Sequence, residues 1–235
     1  INVVKNGNNS LITGEGNYIE NNDDSFISGN SNIILNNDTV TIVGSNNDVS
    51  GNTINSFISG KSNKEFNGQV NTILGVENNV KDSSMNVING YQNNILTNDI
   101  SIVNGSTNIV SSNINSIVNG IDNIVKDNHQ VFVQGLENDV SGNSKNAIIV
   151  GKKHIVNDGE QNAIFGEFQK VNSSINNFLT GMSNQSTNDI NSMVFGNSNK
   201  STSIEDSLIE GEANEGQAIN CSTIMGQINT VKNTE

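Results

Sequence analysis

The chain has 235 residues, 24 carboxylates against 11 Lys and Arg, a formal net charge of −13, and neither Pro nor Trp. That acidic balance, with no basic run, excludes nucleic-acid binding through a positive surface and argues against docking on anionic lipid. With 33% hydrophobic and 4% aromatic residues, an ordinary globule would bury too little apolar surface to offset chain entropy.

Periodicity decides between disorder and a repeat. In chain order, glycines stand at Gly14, Gly29, Gly44, Gly60, Gly75, Gly90, Gly105, Gly120, Gly135, Gly151, Gly166, Gly181, Gly196, Gly211 and Gly226, twelve of the fourteen spacings being 15 residues and two 16. No linker interrupts the series, so residues 1–235 read as one domain of about fifteen coils. We number positions within a coil from this glycine.

Position −2 is aliphatic in every coil, from Ile12 to Ile224. Position +3 is Asn except at His154 and Gln169, and position +5 is Ile or Val in eleven of fifteen coils, from Ile19 to Val231. Two short β-branched segments separated by Gly and Asn predict two strands and a corner, followed by a loose polar turn. Gly and Asn tolerate positive φ at such a corner. Stacked coils pair each strand with its copies above and below at about 4.8 Å per coil, which predicts a parallel β-solenoid some 70 Å long. Asn side chains at the same corner of successive coils are expected to form an amide ladder.

Taken along the chain, the first irregularity is the 16-residue coil carrying Asn47-Asp48-Val49-Ser50-Gly51-Asn52. The same N-D-V-S-G-N recurs at 138–143 in the second long coil. The extra residue is expected in the turn at Gly51 and Gly142, with register kept on either side. The −2 and +5 columns are expected to fill the lumen. The +5 column fails at Glu65 and then at Ser186, Ser201 and Gly216, where looser packing or an external cover is expected.

Strand side chains alternate, so position −3 must point away from a lumen that −2 points into. Yet −3 is apolar in twelve of fifteen coils: Leu11, Phe26, Phe57, Val87, Ile102, Ile117, Phe132, Ile148, Ala163, Phe178, Met193 and Leu208, broken only by Thr41, Thr72 and Thr223. Position −1 adds Val43, Leu74, Val150, Phe165, Phe195 and Met225 to the same face. Monomers rarely expose apolar patches beyond roughly 300–600 Å². Side-by-side association of identical chains is the simplest cover. In mid-chain the apolar character crosses the glycine, from −1 (Asn89, Asn104, Asn119, Gln134) to +1 (Val76, Tyr91, Ile121, Leu136). The simpler reading of those four residues is interface packing. The sharper one is a receptor-binding patch.

No catalytic or cofactor-binding constellation is legible. His129 and His154 fall at different coil positions, and His154 fills an Asn corner slot. Cys221 has no partner for a disulfide and no His near it in sequence. The Asp-Asn turns lack the spacing of a calcium loop. Gly14-Glu15-Gly16 precedes no helix, so it is not a nucleotide loop. No metal site is expected. The chain contains no segment apolar enough to span a bilayer. It begins at Ile1 without a visible signal peptide, as expected of an excised or mature fragment.

Segments such as Asn55-Ser56-Phe57-Ile58-Ser59-Gly60, Asn115-Ser116-Ile117-Val118-Asn119-Gly120 and Asn191-Ser192-Met193-Val194-Phe195-Gly196 resemble the repeat of YadA-like heads of trimeric autotransporter adhesins. The resemblance spans essentially the whole chain and is specific in its period and S-φ-φ-x-G core. After the glycine this chain uses Asn where that family favours Ser or Ala, and the family's neck, stalk and anchor motifs are absent. The resemblance implies an all-β, left-handed parallel β-roll in a side-by-side homotrimer. It also implies display on a bacterial surface and binding to host surface glycoproteins or matrix proteins (collagens, laminin, fibronectin, in some members immunoglobulin-like receptors). Under it the −3 residues would form the trimer interface. Two other classes compete. A monomeric solenoid binding polysaccharide or ice would need a regular Thr-x-Thr array, and Thr39-Val40-Thr41 stands nearly alone. An enzyme on a β-helix would need a His between coils or clustered carboxylates, and the chain offers neither.

Overall fold

In the computed structural model the described residues are 1–202, 205, 208–212, 215–219, 223–227 and 230–234. Cys221 lies outside them. The chain forms two compact units, Ile1–Ile114 and Asn115–Glu235. Each is an all-β parallel solenoid, and there is no helix among the described residues.

In unit 1 the strand Thr72–Val76 lies between Phe57–Lys61 and Val87–Tyr91 in parallel register, Gly75 facing Gly60 on one side and Gly90 on the other. Past a corner, Asn79–Lys81 lies between Lys64–Phe66 and Asn94–Leu96. Unit 2 repeats the arrangement. Ala163–Glu167 lies between Ile148–Lys152 and Phe178–Met182. Lys170–Asn172 lies between Ile155–Asn157 and Gln185–Thr187.

The expected loose turn is instead a third ordered side. Ile54, Gln69, Ser84 and Asp99 pair in parallel from coil to coil in unit 1, as do Lys145, Glu160, Ile175 and Ile190 in unit 2. The backbone there cannot be left without partners, and the neighbouring coil supplies them. Three corners therefore turn each coil. Each is made by one residue in the left-handed region, at +2, +7 and −5, for example Glu77 (φ 58°), Asp82 (φ 49°) and Met85 (φ 53°).

One expectation about the corners needs correcting. The +3 Asn is not itself left-handed; the residue before it is, as Ser31, Asn46 and Ser62 illustrate. The Asn side chain turns inward instead and builds the expected ladder. Asn32 Nδ2 donates to Asn17 Oδ1 at 2.9 Å, Asn47 to Asn32 at 3.0 Å and Asn93 to Asn78 at 3.0 Å. The same amide donates across to the glycine carbonyl of the next coil, as Asn93 does to Gly105 O at 2.9 Å.

Inward Asn residues form two more ladders that the motif did not reveal. On the third side Asn22 Nδ2 donates to Ile34 O and Asn37 Nδ2 to Val49 O, while Asn22 Oδ1 accepts the Asn37 N–H. At −4, Asn71 Nδ2 donates to Ser83 O and Asn71 Oδ1 accepts the Asn86 N–H. The lumen is thus part aliphatic and part amide, with its amides largely paired, as burial of polar groups requires.

The position-zero glycine is required by close approach. A Cβ built on Gly90 (φ 143°) would lie 1.8 Å from Gly105 O, and one on Gly29, Gly44, Gly60, Gly120 or Gly135 would meet the next glycine's carbonyl oxygen at the same distance. In the long coils the extra residue sits in the +7 corner, as expected. Gly51 (φ 80°) and Asn52 (φ 66°) are both left-handed, as are Gly142 (φ 80°) and Asn143 (φ 65°). Register is kept beyond them, Thr41 facing Phe57 and Phe132 facing Ile148.

From Ile27 to Ile209 every −2 residue is fully buried. From Ile19 to Gly216 the +5 column is buried too, including Glu65, Ser186 and Ser201, so these positions are buried by their own chain and the expected looseness is not seen there. At Glu65 and Ser186 the lumen is filled by complementary pairs three residues apart. Gly68 leaves room for Glu65, since a Cβ on Gly68 would lie 1.9 Å from Glu65 Oε1. Conversely, small Ser186 admits the buried Asp189, to which it donates at 2.6 Å, and Ser201 Oγ donates to the same carboxylate oxygen.

Candidate functional site

Because −2 faces the lumen, alternation turns −3, −1 and +1 outward on the longest side of each coil. In unit 1, Leu11, Phe26, Phe57, Val87 and Ile102 are exposed, from 38% at Phe26 to 60% at Leu11. They lie in one column: Leu11 faces Phe26, and Phe57 is separated from Phe26 and from Val87 by a single threonine. In unit 2, Ile117, Ile148 and Met193 are exposed. Phe132, Ala163, Phe178 and Leu208 are half-buried. One reason is mutual cover: the Phe178 ring lies 5.7 Å from both Phe165 and Phe195 of the −1 column. Offset and tilted ring pairs of this kind add modestly to burial.

The four +1 residues fall into two adjacent pairs. Val76 faces Tyr91 in unit 1, and Ile121 faces Leu136 in unit 2. Tyr91 is 45% and Ile121 48% exposed, while Val76 and Leu136 are half-buried.

The column reading missed a third apolar feature. The −5 corner is polar in ten described coils, from Asn9 and Asp24 to Asn191, all left-handed. In three successive coils of unit 1 it is Val70 (φ 55°), Met85 (φ 53°) and Ile100 (φ 54°). These are among the least suitable residues for that backbone, two of them being β-branched. They are also exposed, at 53%, 48% and 47%. Strain combined with exposed apolar surface gives nothing to stability. The signal was present in the sequence as a run of Val, Met and Ile in a column of polar residues, mostly Asn. It was invisible without knowing that the column is a left-handed corner.

Chemistry-bearing groups are few. His154 takes the ladder role of the Asn it replaces: its N–H donates to Asn138 Oδ1, its Nδ1 accepts the Gln169 N–H at 3.1 Å, and its Nε2 lies 3.3 Å from Val150 O. Among the described residues no three His, Cys, Asp or Glu side chains gather as a metal site. A polar depression of ≈ 270 Å³ among Asn21, Asn36, Asn37, Asp38, Asn52 and Ile54 contains one ionisable side chain. Thr39 and Thr41 do not form a flat pair, since Thr39 is a left-handed corner (φ 52°) and Val40 between them is buried.

No protein-family model matches the chain, and no curated protein matches it. Solved structures similar to it include a protein provisionally described as an acetyltransferase from Desulfovibrio desulfuricans G20. It shows 11% identity and a TM-score of 0.21, over 97% of this chain and 68% of that one. The polySia-specific acetyltransferase NeuO shows 12% identity and a TM-score of 0.17, over 83% of this chain and 82% of that one. Likeness at this level carries no argument about the chemistry of this chain.

Proposed function

We propose that this chain is a non-enzymatic adhesive module of a bacterial surface adhesin. It assembles side by side as a homotrimer and binds a host surface or matrix protein. The observation that carries the reading is the outward −3 column, exposed and apolar at Leu11, Phe26, Phe57, Val87 and Ile102 in unit 1 and again at Ile117, Ile148 and Met193 in unit 2. A free solenoid would present that column to water in coil after coil, beyond what soluble monomers tolerate. Identical chains offer identical columns, so closed association covers each with a neighbour's. The assembled charge, 3 × −13 = −39 from the single-chain value, opposes further aggregation. The resemblance of the repeat to trimeric adhesin heads supports the same reading.

Within it, the corner ridge Val70–Met85–Ile100 is the better receptor surface. The +1 pairs, Val76 with Tyr91 in unit 1 and Ile121 with Leu136 in unit 2, are secondary ones. The ridge retains apolar side chains against a conformational cost of about 1–3 kcal/mol at each non-glycine left-handed residue, highest for β-branched ones. The triple variant Val70→Asn, Met85→Asn, Ile100→Asn is therefore expected to melt higher than the parent, because Asn accepts this backbone readily. It is also expected to lose at least tenfold in binding to the immobilised protein that captures the parent, from a panel of collagen, laminin, fibronectin and immunoglobulin-like receptor domains. Unchanged binding by a stabilised variant removes the ridge from the receptor site. A parent that binds no member of the panel counts against the adhesive reading itself.

A further inference from the structure

Besides Asp189, which Ser186 and Ser201 hold, two ionisable side chains occupy the interior in ways that the adhesive reading does not use, Glu65 in unit 1 and His154 in unit 2. Glu65 stands in the aliphatic +5 column between Val49 and Val80 and is 1% exposed. Its Oε1 accepts from Ser56 Oγ at 2.9 Å and Asn71 Nδ2 at 2.8 Å, while its Oε2 is buried without a partner. Gly68, opposite it, supplies the space. A carboxylic acid suits this setting, because a neutral hydroxyl can be buried more cheaply than an anion with one oxygen unpartnered. Around it the lumen of the adjoining coils presents Ile42, Ile58 and Ile73, the amides of Asn47, Asn63 and Asn78, and the hydroxyls of Thr53 and Ser83. Among the described residues of unit 1, no other ionisable side chain is buried.

In unit 2, His154 is fully buried within the amide ladder. Its Nδ1 must stay unprotonated to accept the Gln169 N–H. Its ladder neighbours Asn138 and Gln169 are neutral, and the charged group acting on it is Glu167, whose pull is weaker than the cost of burial. Lys153, next in sequence, is engaged outside by Glu137 at 3.3 Å.

We propose that the two units respond oppositely to pH near neutrality: acid tightens unit 1 through Glu65 and loosens unit 2 through His154. The directions follow from linkage. Burial pushes the Glu65 carboxyl from 4.5 up to about 7, against the donors Asn71 and Ser56, which act to lower it. The folded unit then holds a proton that the unfolded chain releases. Its stability is complete below 4.5 and declines as pH rises to about 7. Burial lowers His154 below 6.5, opposed by its backbone hydrogen bonds and Glu167. Stability in unit 2 is complete above 6.5 and is lost as pH falls through the folded value.

The experiment is amide hydrogen exchange on the full chain at pH 5 and pH 8, corrected for intrinsic exchange rates, with Glu65→Gln and His154→Asn as variants. Both substitutions keep hydrogen-bonding capacity, and Asn is the ordinary occupant of the His154 column. From pH 5 to pH 8 the opening equilibrium at residues 56–80 is expected to rise on the order of tens-fold, while that at residues 147–171 falls. Glu65→Gln abolishes the first response and leaves the second. His154→Asn does the reverse. The proposal is overturned if both units shift in the same direction, if neither shifts, or if either response survives its own substitution.

Discussion

Gly90→Ala is expected to lower the melting midpoint by roughly 10 °C, although it adds a single methyl group. The added Cβ would lie 1.8 Å from Gly105 O and 2.8 Å from Gly105 C. Both are backbone atoms held in the next coil by the ladder of parallel hydrogen bonds that joins Val87–Tyr91 to the strand above it. No side-chain rotation relieves such an overlap, so the coil itself must shift. Overpacking of this kind costs about 1–3 kcal/mol. A non-glycine residue at φ 143° adds about 1–3 kcal/mol of backbone strain. At about 2–4 °C per kcal/mol for a chain of this size, the two terms give the expected drop. Gly16→Ser is the control. Gly16 (φ 68°) is left-handed too, but its Cβ meets nothing closer than 3.4 Å, and Ser31 and Ser62 occupy the same corner column elsewhere. Its midpoint should barely move. Equal losses for the two would mean that coil-to-coil contact at the glycine column does not limit stability.

Ile88→Asp is expected to have the larger effect, abolishing cooperative melting of unit 1 or lowering its stability by about 5 kcal/mol or more. Ile88 is fully buried and lies between Ile73 and Val103. Removing it forfeits roughly 1.5–3 kcal/mol of apolar burial. Burying an unpaired carboxylate in its place costs several kcal/mol more. Glu65 is not a counterexample. It has two donors and a glycine opposite, whereas the flanking residues of Ile88 in its column offer no donor. Asn89→Asp, one residue on, faces outward and is exposed, so it should change stability by less than about 0.5 kcal/mol. Equal losses at positions 88 and 89, read by thermal melting, would invert the assignment of inside and outside.

The columns at −2 and +5 and the glycine at zero were legible in the sequence because each carries one residue type for one physical reason. The long coils were legible too, because Gly51 and Gly142 mark where an added residue can turn. The third side was not. Its inward column mixes Asn22, Asn37, Thr53, Gly68 and Ser83, mostly polar residues of no common size. Where the +5 residue departs from Ile or Val, this column compensates in size. That rule is visible at Glu65 with Gly68 and at Ser186 with Asp189 only once the lumen is known. The outward −3 column was legible through parity alone. The corner ridge at Val70, Met85 and Ile100 was not, because its anomaly lies in backbone conformation as well as in composition.

The central claim is that the −3 column is an interface between copies of this chain. The direct measurement is the molar mass in solution, by static light scattering at micromolar concentration, of the parent beside the variant Val87→Lys, Ile102→Lys, Ile117→Lys. These side chains face away from the lumen and are 42%, 41% and 37% exposed, so lysine there leaves the core of each coil intact. The account predicts a parent at about three times the 25.1 kDa chain mass and a variant at or near one chain, with the β-sheet circular dichroism of the parent. A parent already monomeric, or a variant that keeps the mass of three chains, contradicts it.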